Sequence, residues 1–250
     1  MTADARLLEG KRVLITGGSR GLGRALCLAF ARLGARIAFT YLQNEDAARE
    51  VLAELAAEGA AARAFRASVL DVGGTGRLVQ ELEEAWGGID VLVNNAGISQ
   101  NLPLGLLEVD DFDQVMAVNV KGTYVTARAV LRGMIRRRAG VVLNIGSLAG
   151  MRMVEAPIHY CASKAAVVGL TQALAKEVGR LGVRVLCLAP GLLGEGVSQN
   201  LAEYRLADYV RHCALGRLPA LAEVAELAAF MVSDRNGYMN GATIVIDGGI

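Results

Sequence analysis

The chain has 250 residues, 53% of them hydrophobic and 20% charged, and its 26 Lys and Arg against 25 Asp and Glu leave a formal net charge of +1. High hydrophobicity at almost no net charge excludes a disordered chain, and the missing basic excess excludes a general nucleic-acid binder. No run reaches the roughly 20 apolar residues of a membrane span, and no basic segment followed by a long apolar one opens the chain, so the expected location is the cytoplasm.

Short apolar runs alternate with longer amphipathic stretches along the whole chain. Residues 12–16 (RVLIT) read as a first buried strand and 21–33 as the helix after it. RIAFTY (36–41) is the second strand, followed by an Ala/Glu-rich helix over 45–58. A third strand over 62–66 and a helix over 75–86 lead to IDVLVN (89–94), the fourth strand. One long helical region is predicted from 110 to 138, then strand five at 141–145, a helix over 157–181 and strand six at 183–188. Two further helices are placed within 198–213 and at 221–232, before a last strand, TIVI (243–246).

Apolar strands separated by helices are the mark of a parallel sheet buried on both faces. Right-handed crossovers then give a doubly wound, Rossmann-type α/β fold. No linker or solenoid repeat interrupts the pattern. One domain over 1–250 is expected, with a substrate lid at about 192–213.

The first strand runs into Thr16-Gly17-Gly18-Ser19-Arg20-Gly21-Leu22-Gly23. Glycines allow a sharp turn and a close ligand approach, and the helix N-terminus that follows attracts an anion. The spacing is G-x-x-x-G-x-G rather than G-x-G-x-x-G, but it stands between a strand and a helix, the context a dinucleotide site requires. An acid after the second strand would bind a ribose 2′-OH and select NAD. Here that stretch reads Thr40-Tyr41-Leu42-Gln43, with no carboxylate before Glu45. Arg20, in the glycine loop, can fork onto a 2′-phosphate, so NADP(H) is the expected cofactor.

In His159-Tyr160-Cys161-Ala162-Ser163-Lys164, Tyr160 and Lys164 lie four residues apart and share a helical face. A nearby ammonium should lower the phenol pKa and fit Tyr160 for proton transfer to a carbonyl oxygen. Y-x-x-x-K alone is common. Ser147, placed in a loop after strand five where doubly wound folds bind ligands, lends it context. His159 projects about 100° away round the helix and reads as a neighbour rather than a catalyst. The cysteines Cys27, Cys161, Cys187 and Cys213 form no C-x-x-C pair, and with only His159 and His212 beside them no metal centre is expected.

These residues, with Asn94-Asn95-Ala96-Gly97, Asn119 in Val118-Asn119-Val120 and Asp247-Gly248-Gly249, resemble the short-chain dehydrogenase/reductase family over essentially the whole chain. The resemblance implies a seven-stranded parallel sheet and a catalytic tetrad of Asn119, Ser147, Tyr160 and Lys164. Tyr160 would be the acid/base and Ser147 would polarise the carbonyl. Lys164 would bind the nicotinamide ribose and acidify Tyr160, and Asn119 would hold a proton-relay water. Cofactor contacts are implied at Gly17, Ser19, Arg20, Gly21, Leu22 and Gly23, at Tyr41, Ser68 and Val69, at Asn95, Ala96 and Gly97, at Tyr160 and Lys164, and at Pro190, Gly191 and Leu193. Glu195 stands where the family often has Thr, with Ser198 three residues away.

The similarity is closest to the 3-oxoacyl-[acyl-carrier-protein] reductase group. It implies NADPH-dependent reduction of a 3-oxoacyl thioester, an acidic acyl carrier protein as partner, docking cations at Arg132 and Lys176, and a homotetramer. Arg136, Arg137 and Arg138 either add to that basic patch or complement a helix dipole. A reductase or dehydrogenase of a free small-molecule ketone or alcohol is the alternative. A non-catalytic NADP-binding sensor is a third reading.

Overall fold

Short runs of Val, Ile and Leu build the centre of a seven-stranded sheet. The computed structural model describes residues 6–194 and 203–250. The strands are β1 (Arg12–Ile15), β2 (Arg36–Tyr41), β3 (Ala62–Arg66), β4 (Val91–Asn94), β5 (Gly140–Ile145), β6 (Val183–Pro190) and β7 (Thr243–Ile246). They lie in the order β3-β2-β1-β4-β5-β6-β7, and every neighbouring pair is parallel. The strand order reverses between β1 and β4, so a crevice opens at their carboxyl ends, the place where open α/β sheets bind ligands.

The helices are α1 (Gly21–Arg32), α2 (Glu45–Ala57), α3 (Val72–Trp86), α4 (Val109–Met116), α5 (Gly122–Arg137), α6 (Ile158–Val178), α7 (Glu203–His212) and α8 (Leu221–Val232). Successive strand residues point to opposite faces. Val13, Ile15, Ile37, Phe39 and Leu188 therefore pack against α1, α2 and α8. Leu14, Ala38, Leu92, Val142 and Val185 meet α3, α5 and α6 on the other face. Both faces are covered, which is why the strands carry no polar alternation.

Strands β2, β3 and β7 and helix α8 have the bounds expected from the pattern, and several other elements depart from it. Helix α3 begins at Val72, three residues early, because Asp71 caps it by accepting from the Gly74 N–H at 2.8 Å. The long helix predicted over 110–138 is broken by a π-helical turn, Ala117–Lys121. Pro157 is the N-cap of α6 rather than a first-turn residue, and the predicted end of that helix is a separate 3₁₀ turn, Gly179–Leu181. Strand β6 runs two residues further, to Pro190.

Two polar devices order the sheet. At its amino edge Arg12 forks onto Asp90, with Nε to Oδ2 at 2.7 Å and Nη2 to Oδ1 at 2.5 Å, and its Nη1 donates to the Trp86 carbonyl at 2.8 Å. Towards the carboxyl edge Asn94 and Asn144 are register partners on β4 and β5. Asn94 Nδ2 donates to Asn144 Oδ1 and Asn144 Nδ2 to Thr171 Oγ1, each at 2.9 Å, while the Thr126 hydroxyl donates to Asn94. This buried ladder ties α5, β4, β5 and α6 together beneath the crevice.

Candidate active site

The glycine loop follows β1 directly. Thr16 Oγ1 accepts from the Asn95 and Ala96 backbone N–H groups, each at 3.0 Å. Asn95 Nδ2 donates to the Thr16 and Gly17 carbonyls, also at 3.0 Å. The Asn95 side chain thus clamps the loop, and its backbone and neighbours are what a cofactor can reach. A Cβ on Gly23 would stand 2.0 Å from the Gly17 carbonyl oxygen and 2.7 Å from Asn95 Nδ2, so the first turn of α1 fits only with glycine there.

Arg20, the exposed N-cap of α1, makes no side-chain cap bond, and the first turn holds no acid. The helix therefore presents unneutralised N–H groups and its positive dipole end to the crevice. Ser68 and Val69 line a narrow cleft with Thr16, Thr40 and Ala67, and Tyr41 is half-buried at the end of β2. Across the sheet, Pro190 ends β6, and the Gly191 N–H donates to the Ile246 carbonyl at 2.9 Å. Leu193 packs on the core of the α1 face. A pre-shaped glycine cradle and an acid-free β2 terminus fit a dinucleotide. Ser19, Ala96 and Gly97 fall in the loops around it, and Gly21 and Leu22 open α1 beside it.

Four elements bring the catalytic candidates together. Ser147, just past β5, opens a 3₁₀ turn, Leu148–Gly150, and its hydroxyl accepts from the Ala149 N–H at 3.2 Å. That turn lies hard against α6, where a Cβ on Gly150 would stand 2.5 Å from the Lys164 carbonyl carbon. On α6, buried Lys164 donates to the Ile145 carbonyl at 2.8 Å and lies 5.6 Å from the centroid of the Tyr160 ring.

Asn119 sits in the π turn. Its Oδ1 accepts from the Ile98 N–H at 2.8 Å, and its Nδ2 donates to the Ile98 carbonyl and to Ser163 Oγ, each at 2.9 Å. Gly97 joins this cluster, since a Cβ there would be 3.2 Å from Asn119 Oδ1 and 3.6 Å from Lys164 Nζ. The π turn inserts a residue into the helical ladder and aims Asn119 back at the loop after β4.

Electrostatics correct one expectation. The Tyr160 phenol pKa is raised, not lowered: burial dominates, and the Ser147 hydroxyl only partly opposes it. Lys164 is itself pushed down to about 8 by burial, with Cys187 acting weakly the other way. Both groups lose solvation in the same site, so burial disfavours the charged form of each.

Other candidates separate. Arg132 and Lys176 are exposed, and neither has an ion partner among the described residues. The Arg triplet is engaged internally: Arg136 and Arg137 pair with Glu83, Arg137 donates to the Ile89 carbonyl, and Arg138 donates to the Arg180 carbonyl. Of the expected lid, residues 192–194 and 203–213 are described, and Glu195 and Ser198 lie outside the described residues.

Helix α7 docks through Tyr209, whose hydroxyl donates to the Asp247 carbonyl at 3.3 Å and lies where a Cβ on Gly191 would be. Tyr204 and His212 are exposed. His159 is fully buried, and neither ring nitrogen has a hydrogen-bond partner among the described residues. Cys27, Cys187 and Cys213 are buried free thiols, and Cys161 is half-buried. Among the described residues no three His, Cys, Asp or Glu gather as a metal site, and no helix is long and apolar enough to cross a membrane.

Sequence reasoning missed the Asn94–Asn144 ladder and Thr16 as organiser of the loops. Asparagines closing two apolar strands were the available signal for the first.

The short-chain dehydrogenase family model matches residues 11–205. The chain is 35% identical to a 3-oxoacyl-[acyl-carrier-protein] reductase of Chlamydia pneumoniae over 97% of this chain and 98% of that one. It is 34% identical to a protein of the same description from Synechocystis sp., over 97% and 98%. A gluconate 5-dehydrogenase from Burkholderia cenocepacia, solved in complex with NADP and tartrate, superposes with a TM-score of 0.92 at 33% identity, covering 99% of this chain and 98% of that one. The chain belongs to the short-chain dehydrogenase family and is a nicotinamide-dependent oxidoreductase.

Proposed function

We propose that the protein reduces a 3-oxoacyl thioester, carried on acyl carrier protein, to the 3-hydroxyacyl thioester with NADPH. The observation that carries this reading is the convergence of Ser147, Tyr160, Lys164 and Asn119 at the carboxyl edge of β4 and β5, next to a cradle that fits a dinucleotide. The similarity to reductases of that description supports the substrate class. The acid-free end of β2 and exposed Arg20 support the 2′-phosphorylated cofactor.

When bound, the cofactor supplies hydride to the 3-keto carbon. The chain's own residues handle the oxygen. Tyr160, its pKa raised by burial, keeps its proton at neutral pH and delivers it to that oxygen. The Ser147 hydroxyl donates a hydrogen bond to the same oxygen and holds the carbonyl in place. Lys164 contributes charge under the phenol and a donor for a ribose hydroxyl. Asn119 fixes the loop that carries Gly97, beside the Lys164 amine. Arg132 and Lys176 offer exposed cations to an acidic carrier. Exposed apolar side chains, Val109 on α4 and Tyr124 on α5 among them, support self-association.

A second reading, oxidation or reduction of a free small hydroxy or keto compound, is favoured by the likeness to the gluconate 5-dehydrogenase. A panel of acetoacetyl-carrier protein, acetoacetyl-CoA and free ketones, read by loss of nicotinamide absorbance, separates the two. The carrier-bound substrate should have the highest kcat/KM and should weaken in Arg132→Ala/Lys176→Ala. Free ketones turning over as well as the carrier-bound substrate would transfer the assignment to the second reading. Tyr160→Phe should lower kcat by about 10³-fold with cofactor binding preserved. Full turnover without the phenol would remove the proposed chemistry.

A further inference from the structure

The carboxyl end of β2 is where an adenosine ribose meets a doubly wound sheet. At that end the backbone of β3 runs alongside, with Tyr41 in register with Arg66 and the Ala67 N–H donating to the Tyr41 carbonyl at 2.9 Å. Arg66 is the last residue of β3 and is exposed. Its side chain turns across the strand gap, and Nε donates to the carbonyl of Leu42, the first residue after β2, at 3.2 Å. The guanidinium is therefore held beside the ribose position by a neutral acceptor. A guanidinium carries five N–H donors in one plane, so fixing Nε leaves the two Nη groups to fan outwards.

The surrounding charges point the same way. Residues 40–44 (TYLQN) hold no acid, and Asn44 is occupied in capping α2 through the Ala47 N–H at 2.9 Å. The first carboxylates beyond, Glu45 and Asp46, both pair with Arg49. The other nearby cations are spent on acids, Arg24 on Glu54 and Arg63 on Glu81. Arg20 and Arg66 hold no carboxylate among the described residues. Two uncompensated guanidiniums, one at the glycine loop and one reaching across the end of β2, suit a doubly charged phosphomonoester between them.

Building on the NADPH reading, we propose that Arg66 is the second cation of the 2′-phosphate site and shares that group with Arg20. The Leu42 carbonyl is its positioning partner. Arg66 thereby sets cofactor choice from the third strand, a place with no glycine-motif signature.

The test uses the whole protein and two adenosine probes, 2′,5′-ADP and 5′-AMP, titrated calorimetrically against wild type, Arg66→Ala and Arg66→Lys. Wild type should prefer 2′,5′-ADP. Arg66→Ala should weaken 2′,5′-ADP about tenfold, leave 5′-AMP within about twofold and keep an unchanged melting temperature, with Arg66→Lys recovering part of the loss. A folded Arg66→Ala variant that keeps the wild-type preference, or loses both probes equally, overturns the role of Arg66 alone. A wild-type protein that does not prefer 2′,5′-ADP overturns the NADPH reading itself, and the inference with it.

Discussion

The amine of Lys164 lies 5.6 Å from the centroid of the Tyr160 ring, yet its hydrogen bond runs to the Ile145 carbonyl at 2.8 Å. The pair is thus organised by the end of β5 and not by helical spacing alone. Lys164 is buried and Tyr160 is half-buried with its phenol desolvated, so each resists its own charge. The phenol keeps its proton, and the amine loses its proton more readily than a free lysine.

The pH dependence of reduction follows. Burial lowers Lys164 from 10.5 to about 8, so the charged form is the disfavoured one, and the charge is present below that value and lost above it. If the charge binds the ribose and supports Tyr160, kcat/KM for the reduced cofactor should be flat to about pH 8 and then fall by about tenfold per pH unit. Folding shows the opposite slope: between about 8 and the unfolded lysine value the native state binds fewer protons, so stability rises with pH across that window. A stopped-flow pH series with saturating keto substrate measures the kinetic limb. A limb near 10 would mean that the Lys164 amine is not the titrating group.

The cradle predicts a sharp loss at Gly23. Replacement by Ala puts a methyl 2.0 Å from the Gly17 carbonyl oxygen, which is fixed backbone, and 2.7 Å from the Asn95 amide that clamps it. Either the loop or α1 must shift, and both present donors to the dinucleotide. Gly23→Ala should raise the cofactor dissociation constant by at least about tenfold, a loss of the size expected when placed phosphate donors move. Fluorescence titration of bound reduced cofactor measures it. Wild-type affinity in a folded variant would show that the cradle can yield.

Most of the sheet was legible because strands buried on both faces are apolar throughout, so composition alone marks them. The glycine loop and the Tyr160–Lys164 spacing were legible for a similar reason: each depends on neighbours within eight residues. What escaped depends on non-local pairing. The π turn at Ala117–Lys121 leaves the apolar periodicity of 110–138 nearly intact, so nothing local signals it. The direction of the Tyr160 shift turns on burial of the phenol by residues distant in sequence, which helical spacing does not reveal. Arg136–Arg138 read as part of a basic patch or as complements to a helix dipole until Glu83 and two carbonyls, distant in sequence, are packed against them.

The ladder from Thr126 through Asn94 and Asn144 to Thr171 is one such non-local device, and its removal should be costly. Asn144→Ala leaves a buried donor on Asn94 unpaired and takes from buried Thr171 the bond it accepts, its own donation to the Val167 carbonyl remaining. Each orphaned group costs about 1–3 kcal/mol, so the variant should lose roughly 2–6 kcal/mol. Urea unfolding should show a lower midpoint with an unchanged slope. Because Asn144 stands one residue before Ile145, whose carbonyl anchors Lys164, KM for the keto substrate should rise in the same variant. A midpoint within error of wild type would mean that the ladder is rehydrated rather than broken.

The Arg12–Asp90 fork gives the acid limb of stability. Burial pushes the Asp90 carboxyl up, but the hydrogen bonds and charge of Arg12 outweigh it, and the pKa ends below its ordinary value. A depressed folded pKa means that the stabilisation is complete above the unfolded aspartate value of about 3.9 and is lost as pH falls through the folded value. Asp90→Asn should therefore cost about 2 kcal/mol at pH 7, where three charge-assisted contacts are given up, and should shrink that difference towards zero at strongly acid pH. Since the fork joins β1 to the segment entering β4 at the edge away from the crevice, kcat should stay near wild type at neutral pH. Thermal melts from pH 2 to 7 on both proteins test the sign. A difference that grew as pH fell would show that Asp90 is not the group whose protonation loosens this edge of the sheet.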